Sequence, residues 1–307
     1  MAAVLEVVES GPLSTVQDLG RPGYADIGVA ESGAADRASL RLANRLAGNG
    51  ADAAAIEVTF GGFAARAGTD ITIAVTGARC PITIDRMGAA MNTALRIPAG
   101  TEFRLDWPAT GVRSYVAVRG GIAVEPVLGS RATDLLSGLG PAPLRRGMVL
   151  PVGTATEPRP PVTFSTMCDP GRAAHCRKCA AADPPPGELT LRILPGPRED
   201  WFSEAALRTL LAQPYSVTSE SSRIGIRLDG AVLPRAKHGE LASEGLVPGA
   251  LQVPPSGKPT LVLADHPVTG GYPVIAVVVA EDVDRAAQAR PGSSVRFGLA
   301  GAQRPER

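Results

Sequence analysis

Short aliphatic and β-branched runs recur along this chain, each closed off by Gly or Pro. Asp70–Thr76 (DITIAVT), Ser114–Val118 (SYVAV), Leu189–Leu194 (LTLRIL), Thr260–Ala264 (TLVLA) and Val274–Val279 (VIAVVV) are the clearest. Runs of this length and composition suit buried strands bounded by turns. The 35 Gly and 28 Pro, about a fifth of 307 residues, supply the punctuation. Helical periods are few. Asp36–Leu46 has Asp36 placed as N-cap and Gly48 beyond its end, Ser203–Leu211 opens on Ser203, and a shorter helix is expected over Glu281–Gln288. Strands do not alternate with crossover helices, which disfavours a doubly wound parallel sheet. The expected class is mostly β, largely antiparallel, with a few covering helices.

Seven prolines stand between Gly153 and Glu188: Pro158, Pro160, Pro161, Pro170, Pro184, Pro185 and Pro186. That density predicts a linker over 154–187, dividing a domain of residues 1–153 from one of residues 188–300. The linker carries Cys168, His175, Cys176 and Cys179, donors of the kind tetrahedral zinc prefers. The single Cys-x-x-Cys pair fits an incidental cluster better than a knuckle, so no metal is assigned. Cys80 is expected in or near the core. Lys and Arg total 31 against 30 Asp and Glu, so the basic excess of a nucleic-acid or membrane-surface protein is missing. No apolar run approaches the ~20 residues of a membrane span. The opening MAAVLEVVESG holds Glu6 and Glu9 and no basic region, so a cytoplasmic location with reduced thiols is expected.

Self-contained catalytic motifs are absent. With three His there is no HExxH, and Gly138-Leu-Gly140 runs into Pro141 rather than a dinucleotide turn. Gly257-Lys258 is followed by Pro259 where a P-loop needs Ser or Thr, and Ser32 lacks the Gly of a nucleophile elbow. The informative residues are polar ones set in Gly-rich turns. Gln17, Asp18 and Arg21 share one turn with Gly20 and Gly23. They either converge on a ligand or, for Asp18 and Arg21, pair locally. Asp36 and Asn44 fall on one side of a helix, unless Asp36 only caps it. In a strand, Arg223 and Arg227 would share a face across Gly225, as an anion clamp or as a solvated edge. Glu244, Gln252, Asp265, Thr269 and Tyr272 follow in turns near strand ends, where sites tend to form.

The order of these segments is distinctive. TVQDLGRPGY, SGAAD…ANRLAGN, IEVTFGG, IAVTGA, RSYVAVRGGI, VLGSRATDL, SSRIGIRLDG, SEGLVPGALQVPPSGKP and LADHPVTGGYP together closely resemble the allophanate hydrolase subunit 2 family. That family is also called KipA-like, or the C subunit of 5-oxoprolinase, and the resemblance spans nearly the whole chain outside the linker. It departs where the family often reads SNRMGYRL, here with Ser222, Ile224 and Ile226, and where it often reads D-x-Q-T-T-G-G-Y, here with Pro267 and Val268.

The resemblance implies two cyclophilin-like β-barrel domains and a partner, a KipI-like B subunit of the allophanate hydrolase subunit 1 type. With the A subunit of 5-oxoprolinase, such a pair opens 5-oxo-L-proline to L-glutamate using ATP (with Mg). Lactam carbonyls are resonance-stabilised, so coupling to phosphoryl transfer makes chemical sense. Arg21, Arg223 and Arg227 are the expected anion partners; Gln17, Asp18, Glu244, Gln252 and Asp265 would orient the ring. No general base is assignable from the residues, and the chain alone is expected to be inactive. The same two-chain unit resembles the carboxyltransferase of urea carboxylase. That alternative needs a biotinyl carrier elsewhere, since Lys178, Lys237 and Lys258 stand in no Met-Lys-Met sequence. A further alternative is a non-enzymatic antagonist that binds its KipI-like partner.

Overall fold

The computed structural model describes residues 3–155, 188–237 and 239–301. The Cys168, His175, Cys176 and Cys179 cluster, with nearly all of the expected linker, lies outside the described residues. Two compact units are present: residues 1–21 with 32–184, and residues 22–31 with 185–307. Among the described residues no helix is long and apolar enough to cross a membrane.

In the first unit the strands are β1 (Val4–Ser10), β2 (Leu13–Gln17), β3 (Ala55–Thr59), β4 (Phe63–Ala67), β5 (Ile71–Arg79), β6 (Ile82–Ile84), β7 (Met87–Ala89), β8 (Ala94–Ile97), β9 (Glu102–Leu105), β10 (Thr110–Val118) and β11 (Val149–Pro151), with helix α1 (Arg37–Ala47) between β2 and β3. They pair as two sheets, β11-β1-β4-β9-β6-β7 and β2-β3-β10-β5-β8. Period-2 alternation decides what each face meets. Ile56, Val58, Ile73, Val75, Val116 and Val118 join Leu5, Val7, Phe63, Phe103 and Leu105 in one core. Their neighbours Ala55, Ala74, Tyr115 and Ala117 turn to the other face and pack on Leu40, Ala43 and Leu46 of α1. Small residues there let the helix sit close, so the middle of this sheet is buried on both sides. Each buried Ile or Val side chain contributes about 1.5–3 kcal/mol. The helix ends as its sequence implies: Asp36 accepts a hydrogen bond from the Ser39 amide, and Gly48 closes it in the left-handed region at φ 81°.

The second unit contains β12 (Leu189–Pro195), β13 (Tyr215–Val217), β14 (Gly225–Gly230), β15 (Glu244–Gly245), β16 (Ala250–Gln252), β17 (Thr260–Val262), β18 (Thr269–Gly270), β19 (Val274–Val278) and β20 (Ser294–Leu299), with α2 (Glu204–Ala212) and α3 (Ala280–Ala286). Seven strands close into a barrel in the order β12-β19-β16-β17-β14-β13-β20. Among the described strands of this barrel, the β12–β20 seam alone is parallel. Leu191, Tyr215, Leu228, Leu251, Leu261, Ile275, Val295 and Phe297 fill it. Outside the barrel, β15 and β18 form a separate two-stranded ribbon pairing Glu244 with Gly270 and Gly245 with Thr269. The mostly β class with a few helices holds throughout.

Candidate functional site

At the end of β2 the chain turns sharply, and its polar side chains face inward. Asp18 accepts from the Gly20 amide (2.8 Å), the Ser130 hydroxyl (2.6 Å) and the Arg131 amide (2.6 Å). Gln17 donates to Thr15 Oγ1 (3.0 Å) and to the Thr133 carbonyl (2.9 Å), and Arg21 donates to the Ala132 and Val127 carbonyls. All three are buried, Gln17 at 0% exposure and Arg21 at 1%. Gly33, at φ +92°, lies so close that a Cβ there would stand 2.7 Å from the Gly20 nitrogen. The residues do converge, but on the protein's own 127–133 segment. Gln17 Oε1, Arg21 Nη1 and Thr133 Oγ1 remain buried without a partner.

The neighbouring segment is held by a network that sequence reading did not single out. Tyr115 and Glu57 are cross-strand partners on β10 and β3. The Tyr115 hydroxyl donates to Glu57 Oε2 (2.7 Å) and accepts from the Asp36 amide (2.8 Å), while Glu57 Oε2 also accepts from the Ala35 amide (3.0 Å). Burial, reinforced by the Glu57 charge, pushes the Tyr115 phenol well above its ordinary pKa. Asp36 accepts from both the Ser39 amide and hydroxyl, and Asn44 donates to the Ala53 carbonyl (2.7 Å) and accepts from Asn49 (3.1 Å). Asp36 and Asn44 thus hold α1 in place.

In the second unit the two arginines part company. The strand begins at Gly225, and buried–exposed alternation slips by one residue at its start, where Gly225 and Ile226 are both buried. Arg223 therefore turns in, forming a bidentate pair with Asp265 (Nε–Oδ2 2.8 Å, Nη2–Oδ1 2.9 Å), both essentially fully buried. Arg227 turns out and pairs with Glu220 at 3.1 Å, 62% and 70% exposed. The expected clamp of two arginines on one face is not formed, because the alternation on which it depends is broken between Gly225 and Ile226.

Around the β15–β18 ribbon Arg198, Glu244, Thr269 and Tyr272 stay accessible, while Gln252 is buried beneath them. Arg198 makes a fork with the Glu244 carboxylate and thereby holds it below the usual carboxylate range. Gln252 donates to the Tyr272 carbonyl (3.2 Å). Gly270 lies against the end of Gln252: a Cβ there would stand 2.6 Å from that nitrogen, and the Gln252 side chain would have to shift. Thr269 and the Tyr272 ring are exposed, and the Leu246 amide donates to the Val268 carbonyl (2.8 Å). His266, between Asp265 and Pro267, is buried with Nδ1 2.7 Å from the Pro267 carbonyl. Arg198, Glu244, Gln252, Thr269 and Tyr272 thus border one ribbon, with Asp265 anchoring the segment that leads into it. Ion-pairing, amide and hydroxyl groups on a framed ribbon are suited to orienting a small polar molecule.

The family model for the carboxyltransferase domain, subdomains A and B, matches residues 27–299. The chain belongs to that family. It is 36% identical to the C subunit of Escherichia coli 5-oxoprolinase, over 96% of this chain and 90% of that protein. The solved structure of TTHA0988 superposes with a TM-score of 0.84 at 35% identity, covering 97% of this chain and 55% of that one. Kluyveromyces lactis urea carboxylase superposes with a TM-score of 0.86 at 26% identity, over 97% of this chain and 27% of the other. The chain thus spans about half of the first structure and about a quarter of the second.

The Gly257-Lys258 pair of this carboxyltransferase-family chain does not form a phosphate-binding loop. Lys258 Nζ is held by Asp229 at 2.6 Å, and Gly257 makes a turn against Val232 and Leu233. Among the described residues no group of three or more His, Cys, Asp or Glu is arranged to hold a metal ion. Of the residues missed in sequence reading, Arg198 stood in a Gly-Pro-Arg turn and gave no periodic signal. Glu57 did give one: a carboxylate at an inward position of the IEVTFGG strand.

Proposed function

We propose that this chain is the C subunit of a heteromeric, ATP-dependent 5-oxoprolinase, opening 5-oxo-L-proline to L-glutamate together with a KipI-like B subunit. The observation that carries this reading is the extent of the match. It runs over 90% of a protein named as the C subunit of 5-oxoprolinase, and over 17% of the Lachancea kluyveri urea amidolyase. The ribbon of the second unit supplies groups of the right kind. Arg198 suits the substrate carboxylate, and Gln252 and the Tyr272 and Thr269 hydroxyls suit a ring amide. ATP and its magnesium act in the assembled complex with the partner chains.

The test is reconstitution. The chain co-expressed with its B-type and A-type partners should co-elute as one species over an interface of ~2,000 Å² or more. It should also release glutamate and ADP from 5-oxoproline in equal amounts. Turnover no higher than in a preparation lacking this chain would refute the reading. The close superposition on urea carboxylase favours a second reading, a carboxyltransferase fed by a separate biotinylated carrier. Capture of a biotinylated protein with the complex, and urea-dependent loss of carboxybiotin, would support that one instead.

A further inference from the structure

We propose that His266 transfers the proton in the reaction at the β15–β18 ribbon, a role that rests on the lactam-opening reading above. A carbonyl oxygen only accepts, so Nδ1, at 2.7 Å from the Pro267 carbonyl, carries the hydrogen. In the neutral ring the lone pair then belongs to Nε2, the nitrogen able to take a proton. Nε2 has no hydrogen-bond partner among the described residues, and it does not belong to the sealed, unpartnered atoms, so it keeps an opening to solvent although the residue is only 5% exposed. The ring is also held on a short, pinned segment. On one side Asp265 is clamped by Arg223 through two side-chain bonds, and its amide donates to the Arg223 carbonyl (3.0 Å). On the other, the Val268 carbonyl accepts from Leu246, beside Glu244. Pro267 and Val268 bring no polar side-chain atom, so His266 is the proton-exchanging group between Asp265 and the Thr269–Tyr272 turn. Fixing a base by tautomer and by its neighbours is what a catalytic proton carrier requires.

The step balances without a redox partner. The oxygen of a water bonds to the lactam carbonyl carbon while Nε2 takes one of its protons. The carbon–nitrogen bond then breaks, and the same proton passes to the departing ring nitrogen. The imidazole returns to its neutral form. With the γ-phosphoryl group of ATP first transferred to the lactam oxygen, the same carbon–nitrogen cleavage leaves an acyl phosphate, and a second water releases glutamate and inorganic phosphate from it.

His266→Asn keeps an amide N–H for the Pro267 carbonyl and removes the base. In the reconstituted complex it should lower kcat by about 10²- to 10⁴-fold. KM should stay within about threefold of wild type, with melting temperature and co-elution unchanged. In His266→Ala, added imidazole should restore part of the rate. An Asn variant within about threefold of wild-type kcat, or one whose loss lies in KM, would overturn the proposal. A readout free of turnover is ¹⁵N NMR of the histidine rings in the full complex, with His266→Asn identifying the signal. The Nδ1–H tautomer, with Nε2 shifting on addition of 5-oxoproline, is expected; an Nε2–H tautomer overturns the role. A wild-type complex that leaves 5-oxoproline intact refutes the substrate reading alone, and the tautomer then decides for or against His266.

Discussion

In the turn after β2 the Asp18 carboxylate is saturated by two backbone amides and a hydroxyl, while Gln17 and Arg21 donate to carbonyls of the same chain. At the β15–β18 ribbon, Glu244 shares its carboxylate with Arg198 at 30% and 37% exposure, and Tyr272 is about half exposed. Both regions set amide, carboxylate and guanidinium groups among glycines. One seals them inside; the other leaves its carboxylate and guanidinium within reach of a ligand, with only the Gln252 amide buried. A polar cluster in a Gly-rich turn is therefore a statement about hydrogen-bond demand, and exposure determines whether the protein or a ligand meets it.

The contrast is tested hardest inside the second unit. Asp265→Ala removes the carboxylate from the buried Arg223 and should cost about 3–5 kcal/mol, read as a lower urea midpoint of the full chain. A loss under about 1 kcal/mol would mean the guanidinium is satisfied elsewhere, and that the pair does not anchor the ribbon. In the first unit, Asp18→Asn turns an amide toward the Arg131 N–H and should cost about 2–3 kcal/mol. Substrate dependence should persist in whatever fraction remains folded. Full stability with lost substrate affinity would instead return the Gln17–Arg21 turn to the role of a ligand site.

Tyr215 sharpens the comparison through pH. Its hydroxyl is buried with no partner, and burial pushes its pKa from 10 to about 12. The folded state keeps this proton longer than the unfolded one. Stability contributed by the neutral phenol is thus complete below pH 10 and lost as pH rises through about 12. Urea midpoints measured across that window should fall for wild type and stay flatter for Tyr215→Phe. At neutral pH the same change should move stability by no more than about 1 kcal/mol.

The smallest effect belongs to Arg227→Lys. An exposed pair with Glu220 predicts less than ~0.5 kcal/mol in stability and no change in substrate dependence. A loss of affinity about tenfold or larger would place the anion site back on the outside of β14.

Much of the secondary structure was legible in local pattern. The runs at Ile71, Leu189, Thr260 and Val274 open strands, and the helix expected over Asp36–Leu46 is observed at Arg37–Ala47 with the cap residues foreseen. Caps and alternation act over a few residues, so a linear reading captures them. The two-arginine face failed for the same reason. Alternation holds only while the strand keeps its period of two, and at the start of β14 the neighbours Gly225 and Ile226 are both buried, which puts Arg223 and Arg227 on opposite sides.

From sequence alone came the β class, the capped helices, the absence of a complete nucleotide or nucleophile motif, and the family resemblance, since each rests on residues close together or on their order. Tertiary structure decided which polar groups face a ligand. Asp18 meets Ser130 and Arg131, and Arg223 meets Asp265 some 42 residues on. Burial of a charge is offset by whichever donors or acceptors the fold brings beside it. No local pattern specifies those partners, because they are chosen by sheet register and barrel closure.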